Sequence, residues 1–153
     1  MCIRDRSTAF FAVALAAIFV LWYRVEGTLS IHSITTPRRE LFYWLTVVTT
    51  FALGTAVGDL TATTLKLGYF SSGVLFAALF AVPAVAFKFG LNGIAAFWFA
   101  YVVTRPFGAS FADWMGVSAK RGGLAWGTGP VSLVLLGIIV TLVAVLALSL
   151  IHI

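Results

Sequence analysis

The sequence predicts an all-α, polytopic transmembrane bundle of five helices, and three observations carry that prediction. The chain is 61% hydrophobic and only 10% charged, with a mean hydropathy of +1.07. Several of its apolar runs reach the about 20 residues that a helix needs to cross a hydrocarbon core of roughly 30 Å. One stretch, Trp44 to Asp59 (WLTVVTTFALGTAVGD), recurs 54 positions later as Trp98 to Asp113 (WFAYVVTRPFGASFAD). A soluble chain of 153 residues has too little interior to hide so much apolar surface. The net charge of +5 lies mainly in loops, where it signals orientation and contact with lipid headgroups. The bilayer is therefore the expected partner, and nucleic acid is not.

The ends are set aside first. Met1 to Arg6 (MCIRDR) and Leu148 to Ile153 (LSLIHI) resemble translated sequencing-adapter sequence, and both are excluded from fold reasoning as scars. Without them eight basic and four acidic residues remain, and Cys2, the single cysteine, is lost. Disulfides, thiolate metal sites and cysteine nucleophiles drop out with it.

Residues 7–39 comprise one helix and a loop. Ser7 to Tyr23 reads as a helix of about the minimum spanning length, closed by the interfacial pair Trp22 and Tyr23. No small-residue cleavage site follows, which argues against a signal peptide. Arg24 to Glu40 is the longest polar connection, and Pro37 marks it as non-helical near its end.

Residues 40–90 form the first two-helix repeat. It consists of a helix over Leu41 to Leu60, a short linker Thr61 to Leu67, and a helix over Gly68 to Phe87 in which Pro83 predicts a kink. Residues 91–147 form the second repeat, entered through the turn Lys88 to Asn92. Its helices run from Gly93 to Trp114 and from Gly127 or Pro130 to about Ala147, joined by a Gly-rich loop. A repeat with two crossings keeps its orientation, so the copies are parallel and Asp59 and Asp113 lie at one depth on one side. Four basic residues (Arg24, Arg38, Arg39, Lys88) against three (Lys66, Lys120, Arg121) place the first loop in the cytoplasm and both acids toward the outer face.

Each copy of the organising stretch has a small-xxx-small step, Gly54 to Gly58 and Gly108 to Ala112, of the kind that lets helices pack closely in lipid. Each ends in an acid, Asp59 or Asp113, which at depth is costly without a partner or water. Such acids bind a cation or carry protons, or else simply mark the interface. Arg105 stands near mid-helix, where the other copy has Phe51. It reads as an anion anchor or the fixed counter-ion of a proton relay, or as one half of a structural ion pair. It lies eight residues before Asp113, roughly 12 Å along the axis, too far for direct contact without stretching or water. Pro106 frees a carbonyl near Val102 for Arg105, water or a ligand. Thr46, Thr49, Thr50, Thr55, Thr104 and Ser110 supply hydroxyls, a type that most often bonds the preceding turn. The five tryptophans fall mostly near predicted helix ends, as in an aromatic belt. His32 stands alone in a loop, and neither a HExxH nor a GxSxG set is present, so no catalytic residue, metal or cofactor is assigned.

The segments Ile31 to Trp44, Phe51 to Ala62, Ala96 to Trp114 and Gly127 to Ser132 resemble a family of bacterial membrane proteins of unknown function, built of four tandem repeats. Each repeat has two transmembrane helices and a prominent tryptophan. The resemblance implies that the chain is the C-terminal half, with roughly three upstream helices of eight missing, and that it resides in the bacterial inner membrane. Members are usually called uncharacterised membrane-anchored proteins, some with a regulatory label. Two functions follow as expectations. The first is a small ion- or proton-coupled transporter whose pathway is lined by Asp59, Asp113, Arg105, Thr55 and Ser110. The second is a non-transporting membrane anchor or regulatory subunit. Either needs its missing half or a second copy, as in a homodimer, to cover the exposed Gly-rich faces.

Overall fold

The computed structural model describes residues 3–151, with side chains from 6 to 149. The scar reading of Met1, Cys2, His152 and Ile153 lies outside the described residues. Five long helices account for almost all of the rest: α1 (Ile3–Glu26), α2 (Pro37–Asp59), α3 (Tyr69–Lys88), α4 (Gly93–Gly116) and α5 (Thr128–Ile151). Thus α1 and α5 each run into the terminal segments that the sequence analysis set aside.

Several boundaries differ from expectation for identifiable reasons. Pro37 does not end the polar loop but opens α2. Its ring fixes the helical φ and its missing N–H is not needed in the first turn. Thr36 caps the helix, its hydroxyl accepting from the Arg39 amide at 3.4 Å. At the other end the presumed linker is helical for one more turn. Leu60–Thr64 winds as a π-turn, closed by the Leu65 amide donating to the Leu60 carbonyl at 2.9 Å. α3 runs through Pro83, which is buried. α4 starts where Asn92 accepts from the Ile94 amide at 2.8 Å.

The Gly-rich loop after α4 folds back onto that helix. Leu124 donates to the Trp114 carbonyl (2.8 Å), Ala125 to Val117 (2.9 Å) and Trp126 to Met115 (3.1 Å), so the loop takes up two of the orphan carbonyls of the last turn and that of the residue after it. This approach needs a glycine at 123, where a Cβ would sit 2.9 Å from the Trp114 oxygen and 2.8 Å from the Val117 carbonyl carbon.

Four helical stretches, Arg6–Glu26, Pro37–Thr64, Tyr69–Lys88 and Thr128–Ser149, are long and apolar enough to cross a membrane. α4, also 24 residues and roughly 36 Å long, falls short of them in hydropathy because it carries Arg105, Pro106 and Asp113. It is instead the most enclosed helix. α2, α3 and α5 pack against it, and its Trp98 reaches α1. Polar groups are tolerated where neighbouring helices rather than lipid surround them.

Aromatic side chains join these helices. Trp98 meets Phe19 and Trp22 of α1 edge-on, with centroids 5.2 and 5.6 Å apart, and lies 6.5 Å from Tyr43 of α2. Its indole N–H donates to the Leu29 carbonyl at 2.8 Å, which ties α4 to the α1–α2 connection. That connection is itself clamped by Arg39, which bonds Glu26 at 2.6 Å and the Ser33 carbonyl at 2.7 Å. On the opposite flank Phe107 stacks on Phe80 of α3, while Phe111 meets Phe70 edge-on and Trp114 meets it at a tilt. The aromatic-belt reading is thereby corrected for two tryptophans. Trp22 and Trp98 are 1% and 5% exposed and belong to the core. Removing the Trp98 ring should cost about 3–5 kcal/mol, whereas Trp126→Ala, at an exposed position, should stay within about 1 kcal/mol. Thermal unfolding of the two variants in detergent reads the difference.

Candidate functional site

The seam between α2 and α4 brings the organising stretches together. A Cβ at Gly54 would collide with the Arg105 Cβ and stand 3.1 and 3.2 Å from the Arg105 carbonyl carbon and Cα. One turn on, a Cβ at Gly58 would lie 3.6 Å from the Ala109 Cβ and 3.7 Å from the Ser110 hydroxyl. Both partners advance in the same direction, so the helices are parallel and their backbones nearly touch. Gly108 and Ala112 do not repeat this contact within the chain. Gly108 is exposed, with nothing within 4 Å of where its Cβ would be, and Ala112 is half-buried. The reason is rotational. α4 turns Trp98, Arg105 and Ala109 toward α2 and Phe107 and Phe111 toward α3, which leaves Thr104 and Gly108 on an open face.

Arg105 is fixed at the centre of this seam. Its guanidinium donates to the Tyr101 hydroxyl at 3.0 Å and lies 5.3 Å from the Tyr101 ring centroid and 5.6 Å from that of Phe51. These cation–π contacts strengthen where water is excluded. Among the described residues it has no carboxylate within 4 Å, so the ion pair weighed from sequence, with Asp59 as its partner in this chain, is not formed. Nor does it turn to the carbonyl that Pro106 frees one turn back.

The two acids lie toward one end of the seam, both half-buried. Asp59 is at the junction where α2 becomes the π-turn, rather than in a simple last turn. Its carbonyl accepts from the Thr63 hydroxyl at 2.6 Å. Asp113 is one turn from the end of α4, its carbonyl accepting from the Val117 amide at 2.8 Å. Neither acid has an ion-pair partner within 4 Å among the described residues. Two features escaped the sequence analysis. The run Leu60–Thr64 (LTATT) gives one faint sign of the π-turn, since its threonine hydroxyls can hold carbonyls of the preceding turn: Thr61 bonds Gly58 and Val57, and Thr63 bonds Asp59. The loop's return onto the end of α4, through the amides of Leu124, Ala125 and Trp126, is the second, and local pattern does not reveal it.

The hydroxyls divide into two kinds. Thr55 is exposed and bonds its own helix at the Phe51 carbonyl (3.3 Å), so it lies off the seam. Thr46, Thr50 and Thr104 likewise bond carbonyls of the preceding turn. Ser110 differs, being 1% exposed beside Gly58 with no hydrogen-bond partner for its hydroxyl among the described residues. Ser72 of α3 is in the same condition. No group of three or more His, Cys, Asp or Glu that would hold a metal occurs among the described residues.

The family described as Repeat of Unknown Function (DUF347) matches this chain twice, at residues 42–89 and 96–150. The chain belongs to that family. The first DUF347 match takes in most of α2 and all of α3, and the second most of α4 and α5, so each copy contributes one of the two helices that form the seam. No curated protein and no solved structure matches the chain.

If the Gly54 contact holds α2 to α4, Gly54→Ala should destabilise the protein by about 1–3 kcal/mol through overpacking. Gly137→Ala, where nothing lies within 4 Å of the new methyl, should be neutral or stabilising through helix propensity. Thermal midpoints of both variants in detergent check the pair.

Proposed function

We propose that the chain is a multi-pass protein of the bacterial cytoplasmic membrane that moves a small ion or organic anion, coupled to protons or another ion, along the α2–α4 seam. The observation that carries this reading is Arg105. It is a cation at the middle of an enclosed helix, held by a phenol and two aromatic faces and not neutralised by a carboxylate within 4 Å among the described residues. An intramembrane charge is expensive, and one kept without an ion-pair partner is poised to receive an anionic ligand. Asp59 and Asp113 at one end of the seam supply acids that bind a cation or take up a proton, and Ser110 offers a buried hydroxyl with no competing partner. Thr55, exposed and bonded to its own helix, drops out of the pathway.

The anchor or regulatory reading is favoured by a different observation. Most hydroxyls on these helices are consumed by their own backbones, as Thr46, Thr50, Thr55 and Thr104 are. Such groups stiffen a bundle without serving a ligand.

The test uses liposomes holding a pH-sensitive dye and a panel of cations and small organic anions applied outside. Wild type is compared with Arg105→Gln, Asp59→Asn and Asp113→Asn at equal incorporation. Coupled transport predicts a solute-dependent pH change that each variant reduces at least tenfold. A pH change equal in wild type and all three variants removes these residues from the pathway, and no flux in wild type favours the anchor.

A further inference from the structure

Two serine hydroxyls are buried in the bundle without a partner. Ser110 of α4 is 1% exposed and Ser72 of α3 is 0% exposed, and neither hydroxyl has a hydrogen-bond partner among the described residues. The threonines show the usual alternative, since Thr46, Thr50 and Thr104 each donate to a carbonyl of the preceding turn. A buried hydroxyl that forgoes such a bond is costly. The burial of both serines is complete within these helices, so any partner must be small enough to lie between them.

The two serines flank one junction. Ala109 meets Gly58 of α2 and Phe111 meets Gly73 of α3, so Ser110, between them in sequence, projects into the wedge where α2 and α3 adjoin α4. Ser72 precedes Gly73 on the α3 side of that contact, where the Phe111 ring stands 2.9 Å from where a Cβ would be. Gly58 leaves room on the α2 side. A Cβ there would stand 3.7 Å from the Ser110 hydroxyl and 3.9 Å from the Pro106 carbonyl oxygen, at ordinary contact distances. A methyl-sized space is thus faced by two oxygens. The acids stand beside it, Asp59 directly after Gly58 and Asp113 one turn beyond Ser110, both half-buried and with no ion-pair partner within 4 Å among the described residues.

We infer that this wedge binds a small alkali cation, Na+, held by the Ser110 and Ser72 hydroxyls and the Pro106 carbonyl, with Asp59 and Asp113 supplying the counter-charge. Hard cations take oxygen ligands, and hydroxyls and carbonyls are the neutral ones a helix junction can offer. A water would pair the hydroxyls equally well but would leave both acids without a counter-ion. A divalent ion takes carboxylates as direct ligands, whereas the fully buried oxygens here are neutral. The inference gives the coupling ion of the proposed pathway a place and to that extent rests on that reading. Equilibrium binding reads the site without flux, however, so Na+ bound by a protein that moves nothing would retire transport and keep the site.

The test measures binding of radiolabelled Na+ to the full chain in nanodiscs, with choline replacing Na+ at constant ionic strength. The expected result is saturable binding that Ser110→Ala and Ser72→Ala each weaken about tenfold or more, through loss of one oxygen from a charge. Gly58→Ala should abolish it by filling the space. That methyl makes only ordinary contacts and raises helix propensity, so a purely structural glycine predicts an intact fold and unchanged Na+ binding. Circular dichroism verifies the fold of each variant. Thr141→Ala, on α5 and bonded to its own helix at the Gly137 carbonyl, should bind as wild type does. Three results would overturn the inference: no saturable Na+ binding by wild type, meaning that water pairs the hydroxyls; binding unchanged in Gly58→Ala and both serine variants, meaning that the ion sits elsewhere; or Ca2+ displacing Na+ at a lower concentration than Na+ itself requires.

Discussion

The structure depends on the absence of a side chain at Gly54. Because nothing projects there, the backbone of α4 at Arg105 comes within van der Waals reach of α2, and the two copies of the repeated stretch run parallel and in contact. In lipid no hydrophobic driving force holds two apolar helices together, so close backbone approach and the dispersion contacts it allows do that work. The position of the seam also decides what surrounds Arg105. With α2 this close, Phe51 and Tyr101 flank the guanidinium, and the charge is enclosed by protein at the depth where lipid would be most hostile to it.

Around that contact the rest of the bundle is fastened by aromatic rings and by clamps at the helix ends. Trp98 stands where α1, α2 and α4 meet and hydrogen-bonds the connection between the first two. Phe107, Phe111 and Trp114 fasten α3 to the other flank of α4, and the returning Gly-rich loop bonds the Trp114 and Met115 carbonyls at its end. The bundle thus places one cation in the middle of the seam and two acids at one end of it. α5 meets the end of α4, where Thr128 lies against Gly116, and otherwise leaves most of its apolar surface exposed.

The fold was legible because it is written in quantities that do not depend on long-range contacts: apolar run length, an internal repeat, and glycine spacing. The five helices and the close approach at Gly54 and Gly58 follow from these. What remained hidden depends on rotation and register. The glycine of the same small-xxx-small step at Gly108 meets nothing among the described residues, because α4 turns that face away from α2 and α3. Sequence put Arg105 and Asp113 on one face, but its partners came from α2 and from its own preceding turn, since Phe51 and Tyr101 were nearer than any carboxylate. Asp59 was placed on a last turn, yet the helix continues as a π-turn held by threonine hydroxyls, an alternative that helix periodicity does not distinguish.

The central claim is that α2 and α4 are parallel and meet at Gly54 and Gly58, and one cross-linking measurement tests it most directly. A Cys2→Ser protein carrying Gly58→Cys and Ala109→Cys is oxidised in native membranes and digested between the helices, and the fragments are separated with and without reductant. The account predicts an intrachain disulfide, because the two Cβ positions are 3.6 Å apart, and predicts none when Ala109→Cys is replaced by Ala112→Cys. Failure of the first pair to link, or equal linkage of both, would contradict it.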